Sequence, residues 1–161
     1  MVESWSFRRL MGRYTTGVAV VLAGDDLPIG LTVNSFTSLS LAPPLILFCA
    51  RNESRSVRAV IAHGRFSVNI LADSQRDISK FFAGAADLWN SAACGRHKDW
   101  FTIPDANGTL CCDIATVHPG GDHVIVVGAV KEIVAPETAR RPLLYYEGRY
   151  EALDLQPAAA G

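Results

Sequence analysis

A succession of short apolar runs bounded by turn residues most constrains how this chain folds. Residues 15–23 (TTGVAVVLA), 65–71 (RFSVNIL), 109–117 and 123–134 (HVIVVGAVKEIV) are rich in β-branched residues and read as strands, with Gly128 marking a bulge in the last. Between residues 28 and 34, Ile29, Leu31 and Val33 alternate with Gly30, Thr32 and Asn34, the period of a half-buried strand. Gly24-Asp25-Asp26 joins the first two runs as a hairpin, so the sheet begins antiparallel. Pro43-Pro44 relaunches the chain as the apolar run 45–49, and residues 143–146 read as a last short strand. Six or more mostly antiparallel strands with helices between them favour a mainly-β barrel, closed or nearly closed, with helices at its rim.

The helices have their own signatures. Ser4 is placed to cap a short one whose Phe7, Leu10, Met11 and Tyr14 share a face. Val57, Val60 and Ile61 mark a second, closed by Gly64. Asp73 or Ser74 caps a third, with Asp77 placed for a capping box and Ile78, Phe81 and Phe82 forming its apolar face. Residues 83–108, with Trp89 and Trp100, are longer than an ordinary connection and read as a folded lid or an interface arm. No internal repeat or linker divides residues 1–161, which are expected to form one domain with a fraying tail at 155–161.

Charge and composition exclude several function classes. A formal net charge of −1 gives no basic excess for nucleic acid, and no apolar run is long enough to span a membrane. The N-terminal residues lack the apolar core of a secretory signal, so a cytoplasmic protein with reduced thiols is expected. Cys94 and His97 with Cys111-Cys112 match no standard zinc spacing, and no metal site is expected.

The candidate ligand site lies in residues 28–56. Short hydroxyl residues crowd at Ser35, Thr37, Ser38 and Ser40, in what reads as a polar loop between two strands. Behind the apolar strand that follows, Arg51-Asn52-Glu53-Ser54-Arg55-Ser56 opens the second helix. Two readings stand side by side here. One is an ordinary turn and helix cap. The other is a ledge for the rim of a flat heterocycle beside a phosphate seat, because a helix N-terminus offers unpaired N–H groups and a positive dipole end. From the residues alone, His123 likewise reads as a hairpin residue bonded to the backbone.

Taken together, FRRLMGRYTTGVAVV, GLTVNSFTSLSLAPPLILFC, the S-x-S before the second helix, GRFSVNIL, GGDHVIVVGAV and PLLYYEGRY, in this order, resemble the flavin reductase family. The resemblance covers residues 7–150 and implies a six-stranded antiparallel Greek-key split barrel of the FMN-binding type with peripheral helices. It implies an NAD(P)H-dependent reductase that passes hydride from NADH or NADPH to FMN or FAD and supplies a separate monooxygenase. Two alternatives of the same fold are a flavin carrier without nucleotide oxidation and a pyridoxamine-phosphate-oxidase-like oxidase. The family pattern places Thr32, Val33, Asn34 and Ser35 along the flavin ring, with Ser38 and Ser40 nearby and Phe82 at its edge. It places Ala50, Asn52, Ser54 and Ser56 at the phosphate, His123 as the catalytic residue beside the nicotinamide, and Tyr146 and Arg149 at the same mouth. A second subunit covering the open site is also implied, hence a homodimer. Such chemistry belongs to the two cofactors, which need only be stacked in contact, so the lack of a catalytic triad fits.

Overall fold

The computed structural model describes residues 2–85 and 94–153. Trp89 and the tail at 155–161 lie outside them. In chain order the elements are α1 (Ser4–Met11), β1 (Thr16–Gly17), β2 (Ala19–Ala23), β3 (Ile29–Val33), β4 (Thr37–Leu41), β5 (Pro44–Arg51) and α2 (Arg55–His63). Then come β6 (Arg65–Ile70), a 3-10 turn (Asp73–Gln75), α3 (Arg76–Phe82), β7 (Gly95–His97) and β8 (Trp100–Thr102). The chain ends with β9 (Gly108–Gly120), β10 (His123–Val134), β11 (Leu143–Tyr146) and β12 (Arg149–Ala152).

The main sheet has seven strands in the order β3-β2-β6-β9-β10-β5-β4, antiparallel at every pairing. It curls until β3 lies against β5. There the Ser35 hydroxyl both donates to the Cys49 carbonyl (2.8 Å) and accepts from the Cys49 N–H (2.9 Å), stitching the seam. This is the mainly-β, helix-flanked split barrel expected, its main sheet having one strand more than the six the resemblance implies. The extra strand is β4, where a polar loop was expected. Its outward Thr37 and Ser38 suit an edge, and its backbone pairs with β5 through Thr37↔Leu47 and Ser38↔Ile46. The 15–23 run is also broken: at Val18 the chain leaves the small sheet β1-β11-β12 for the main one.

Strand β2 is buried on both faces, and its alternation divides the interior in two. Ala19, Val21 and Ala23 face a core with Leu31, Val33, Phe48, Val57, Val60, Phe66 and Val126, where Phe48 and Phe66 meet edge to face at 5.5 Å. Val20 and Leu22, with Val18, face a second core with Leu71, Phe101, Ile103 and Leu143. Each fully buried side chain of this size contributes about 1.5–3 kcal/mol. Gly128 sits at the expected bulge in β10, and a Cβ there would stand 2.5 Å from the Phe66 ring.

Helix α2 is capped by Ser54, whose Oγ accepts from the Val57 N–H, and ends at Gly64 in the left-handed region (φ 80°). Two expected caps are replaced. Ser4 is already helical, behind Glu3, and the capping box assigned to Asp77 is made instead by the Gln75 amide oxygen on the Ala72 N–H. No helix is long and apolar enough to cross a membrane among the described residues.

The described part of the 83–108 segment is a folded arm rather than idle loop. The β7–β8 hairpin is anchored on Asn69, which is fully buried. The Asn69 amide nitrogen donates to the Val20 carbonyl and Ser67 Oγ, and its oxygen accepts from the Ile103 N–H and Thr109 Oγ1. Outside, Arg65 pairs with Asp99 at 2.9 Å, and Glu132 takes both His97 and Lys98. Replacing Asn69 by Ala strands several buried polar groups at once. We expect Asn69→Ala to lower the unfolding free energy by about 3 kcal/mol, read as a lower urea midpoint; a midpoint equal to that of the parent would contradict the anchoring role.

Candidate functional site

Strand β3 is an edge strand, so one of its sides keeps backbone N–H and C=O groups that β2 does not use. That side forms the floor of a cleft of about 470 Å³. Residues 31–35 supply the floor, Cys49, Ala50 and Arg51 the end of β5, Ser54 the cap of α2, Phe82 and Ala83 the end of α3, and His123 the start of β10. Two recesses open from it at Asn34. One, of about 200 Å³, runs over Thr32, Val33 and Asn34 to Val18, Ala83, Tyr145 and Tyr150. The other, of about 410 Å³, lies between residues 14–17 and 34–37, and there Thr16 Oγ1 is buried with no hydrogen-bond partner among the described residues.

The hydroxyls on the floor are largely committed to the fold. Thr32 Oγ1 donates to the Ser79 carbonyl at 2.6 Å, and Ser35 Oγ is spent on the seam. What remains for a ligand along residues 32–35 is main chain and the exposed Asn34 amide, which lines the cleft and both recesses. At the other end, Ser54 Oγ accepts from the Val57 N–H, which leaves its own proton free to donate outward. The first-turn N–H groups of the nine-residue α2 and the Arg51 guanidinium stand beside it. This is an electropositive seat of the kind that holds a phosphate.

His123 pairs across the sheet with Arg51, and its side chain is 38% exposed. Its Nδ1 lies 2.8 Å from Asp122 Oδ1. That hydrogen bond, with the imidazole's charge, holds the Asp122 carboxyl below the usual carboxylate range. The contact engages Nδ1 and leaves Nε2 as the nitrogen available to the cleft. The turn carrying the pair is Gly121-Asp122, with Gly121 at φ 72°. Asn52 clamps it: its N–H donates to the Asp122 carbonyl and its side-chain amide to the Gly121 carbonyl, each at 3.1 Å.

The structure thus gathers Thr32, Val33, Asn34, Ser35, Ala50, Ser54, Phe82 and His123 of the expected residues around one cleft. Others fall elsewhere. Ser38 and Ser40 lie on β4, opposite Ile46 and Leu45. Ser56 is the second residue of α2, and Asn52 bonds the turn. Tyr146 and Arg149 are paired across the β11–β12 hairpin and do not line the cleft or its recesses. Their neighbours Tyr145 and Tyr150 line the smaller recess instead, in edge contact at 5.5 Å. A signal for this was present: Leu143 is buried, so alternation carries Tyr145 inward and Tyr146 outward.

Cys49 lines the cleft, whereas Cys94, Cys111 and Cys112 do not. Burial pushes Cys94 up to about 11 and, with the Glu132 charge, Cys111 to about 11. It pushes Cys112 to about 12, so all three stay protonated at neutral pH. No three His, Cys, Asp or Glu side chains are grouped to hold a metal ion among the described residues.

Comparison with known proteins agrees with this geometry. The family model described as "Flavin reductase like domain" matches residues 11–154. The reductase subunit HsaB of a flavin-dependent monooxygenase from Mycobacterium tuberculosis is 39% identical over 158 residues, covering 95% of this chain and 84% of that protein. The solved flavin reductase PheA2 superposes with a TM-score of 0.89 at 28% identity, over 96% of this chain and 100% of that one. The NADH:FAD oxidoreductase SgcE6 of Streptomyces globisporus, solved with NAD and FAD fragments, gives 0.85 at 32% identity, over 98% and 95%. With a family model spanning most of its length and relatives this similar along nearly all of it, the chain belongs to the flavin reductase-like domain family.

Proposed function

We propose that this chain, as one domain, is an NADH- or NADPH-dependent reductase of FMN or FAD that supplies reduced flavin to a separate monooxygenase. The observation that carries the reading is the single cleft joining a strand-edge floor to the phosphate-suited N-terminus of α2, with His123 at its margin. The donor set fits a flavin: main-chain groups for a polar ring rim, Phe82 and Ala83 for its apolar surface, and Arg51 with Ser54 for a phosphate. The bound flavin supplies the hydride-accepting chemistry.

The residues of this chain bind and orient. Main-chain groups of residues 32–35 meet the ring rim, where fixed N–H donors favour the negative charge that reduction brings. Ser54 and the first turn of α2 hold the phosphate. His123 faces the nicotinamide through Nε2, its ring held by Asp122. The Asp122 carboxyl that holds it is in turn kept below the ordinary carboxylate range by that same hydrogen bond. The cysteines are free, as in a reducing, cytoplasmic compartment.

A homodimer completes the reading. Helix α1 buries none of its residues and exposes Trp5, Phe7, Leu10 and Met11, with Tyr14 just beyond it. An apolar face of this kind marks an interaction site, and a second subunit laid over it would cover the open side of the barrel.

Three measurements test the reading. Purified protein is expected to oxidise NADH or NADPH under anaerobic conditions only when FMN, FAD or riboflavin is added. Flavin binding without oxidation would leave a carrier, and neither would end the proposal. Ser54→Ala is expected to weaken FMN roughly three- to tenfold while weakening riboflavin far less, since riboflavin has no phosphate. Loss of the cap should also cost about 1 kcal/mol of stability; equal losses for both flavins would refute the phosphate seat. Equilibrium sedimentation should show a dimer at micromolar protein and a monomer for Leu10→Glu, with a monomeric parent contradicting the dimer.

A further inference from the structure

One buried residue outside the cleft wall holds three residues of that wall. Ser79 of α3 has no exposed surface. Its carbonyl accepts from Thr32 Oγ1 at 2.6 Å and from the Ala83 N–H at 3.0 Å, and its Oγ lies 2.9 Å from the Tyr150 hydroxyl. Thr32 comes from β3, Ala83 from the end of α3 and Tyr150 from β12. All three line the recess that continues the cleft floor past Asn34.

We propose that Ser79 is a positioning residue that sets the width of the ring end of the cleft, acting through Thr32, Ala83 and Tyr150. A mid-helix serine commonly turns its hydroxyl back on its own helix, where it does nothing for other elements. Here the hydroxyl reaches a strand of the small sheet, while the carbonyl of the same residue fastens the floor of the main sheet. Both contacts are partly buried, where an unmade hydrogen bond is costly, so the spacing they set is held firmly.

The remaining freedom is removed by packing. Helix α3 lies close on β3 at Gly30, where a Cβ would stand 2.7 Å from the Val21 carbonyl oxygen and 2.9 Å from the Phe82 ring. That approach fixes how near the helix can come, and the Ser79 bonds fix that it does not drift away. The Tyr150 ring is held in turn by its edge contact with Tyr145. Withdrawing the Ser79–Tyr150 bond loosens the Tyr150 wall and the end of α3 relative to each other, while Arg51, Ser54 and His123 are untouched. The consequence is weaker ring binding with little effect on turnover once flavin is saturating.

This inference rests on the flavin-reductase reading, and the test separates the two. Flavin affinity is measured by fluorescence quenching, and steady-state kinetics by nucleotide oxidation, for the parent, Ser79→Ala, Tyr150→Phe and the double variant. Each single variant is expected to raise the flavin Kd and KM roughly three- to tenfold. Riboflavin and FMN should be affected alike, since the phosphate seat is intact, and kcat should fall by less than about twofold. The double variant should be no worse than either single one, because both remove the same bond. Tyr150→Phe deletes one partly buried oxygen and keeps the ring, so it reports even if Ser79→Ala folds poorly. An unchanged Kd and KM in a folded Tyr150→Phe protein, a loss confined to FMN, or additive losses in the double variant would each overturn the proposal. A parent protein that neither binds flavin nor oxidises nucleotide would overturn the functional reading and this one together.

Discussion

Strand β2 has no face toward water, and most of the architecture follows from that. A strand buried on both sides must be covered twice: the curled main sheet and α2 cover one face, the β7–β8 arm and Leu143 the other. Its residues are accordingly small or β-branched, with Leu22 the largest among them. Its neighbour β3 is where the sheet stops. The double cover holds β2 in place, and the edge it presents through β3 is where the site is built.

An edge strand is ordinarily a liability, because its free backbone groups pair with any strand that reaches them. Here the exposed side of β3 is bounded by the Ser35–Cys49 seam at one end and by α3 at Gly30 along its length. Those boundaries keep out another strand and leave a slot suited to a flat polar ring. Floor hydroxyls are spent on holding the slot open rather than on its occupant. Thr32 binds the Ser79 carbonyl and Ser35 binds β5, so two residues that resemble ligand contacts are equally parts of the frame.

The legible parts of the sequence were those governed by local rules. Period-two alternation located β3, β-branched richness located β10, Gly64 closed α2, and Gly128 marked the bulge. The failures came where distant groups decide the outcome. Residues 37–41 are polar enough for a loop, but β5 offered an open edge and they became β4. Asn69 in RFSVNIL looks like an ordinary polar position in an alternating strand. Its role as the anchor of the arm depends on Ile103 and Thr109, more than thirty residues downstream and invisible to any local pattern. Tyr146 and Arg149 follow from the family's motif, whereas the position of Tyr145 and Tyr150 follows from alternation out of the buried Leu143.

The division between frame and contact bears on what the cleft discriminates. In the proposed function, main-chain donors and acceptors along residues 32–35 would meet the rim of the ring, which FMN, FAD and riboflavin share. On that reading the α2 end, with Arg51 and Ser54 in the cleft lining, would meet the phosphate, a group that riboflavin lacks. Discrimination among flavins would then sit at the phosphate end, while the ring end would set how well any of them is held. A protein that must release its reduced flavin benefits from that separation. Ring contacts made by backbone and apolar side chains bind without the strong charge-assisted bonds that would slow departure. The charged contacts, at a partly exposed helix start, are weakened by water and salt.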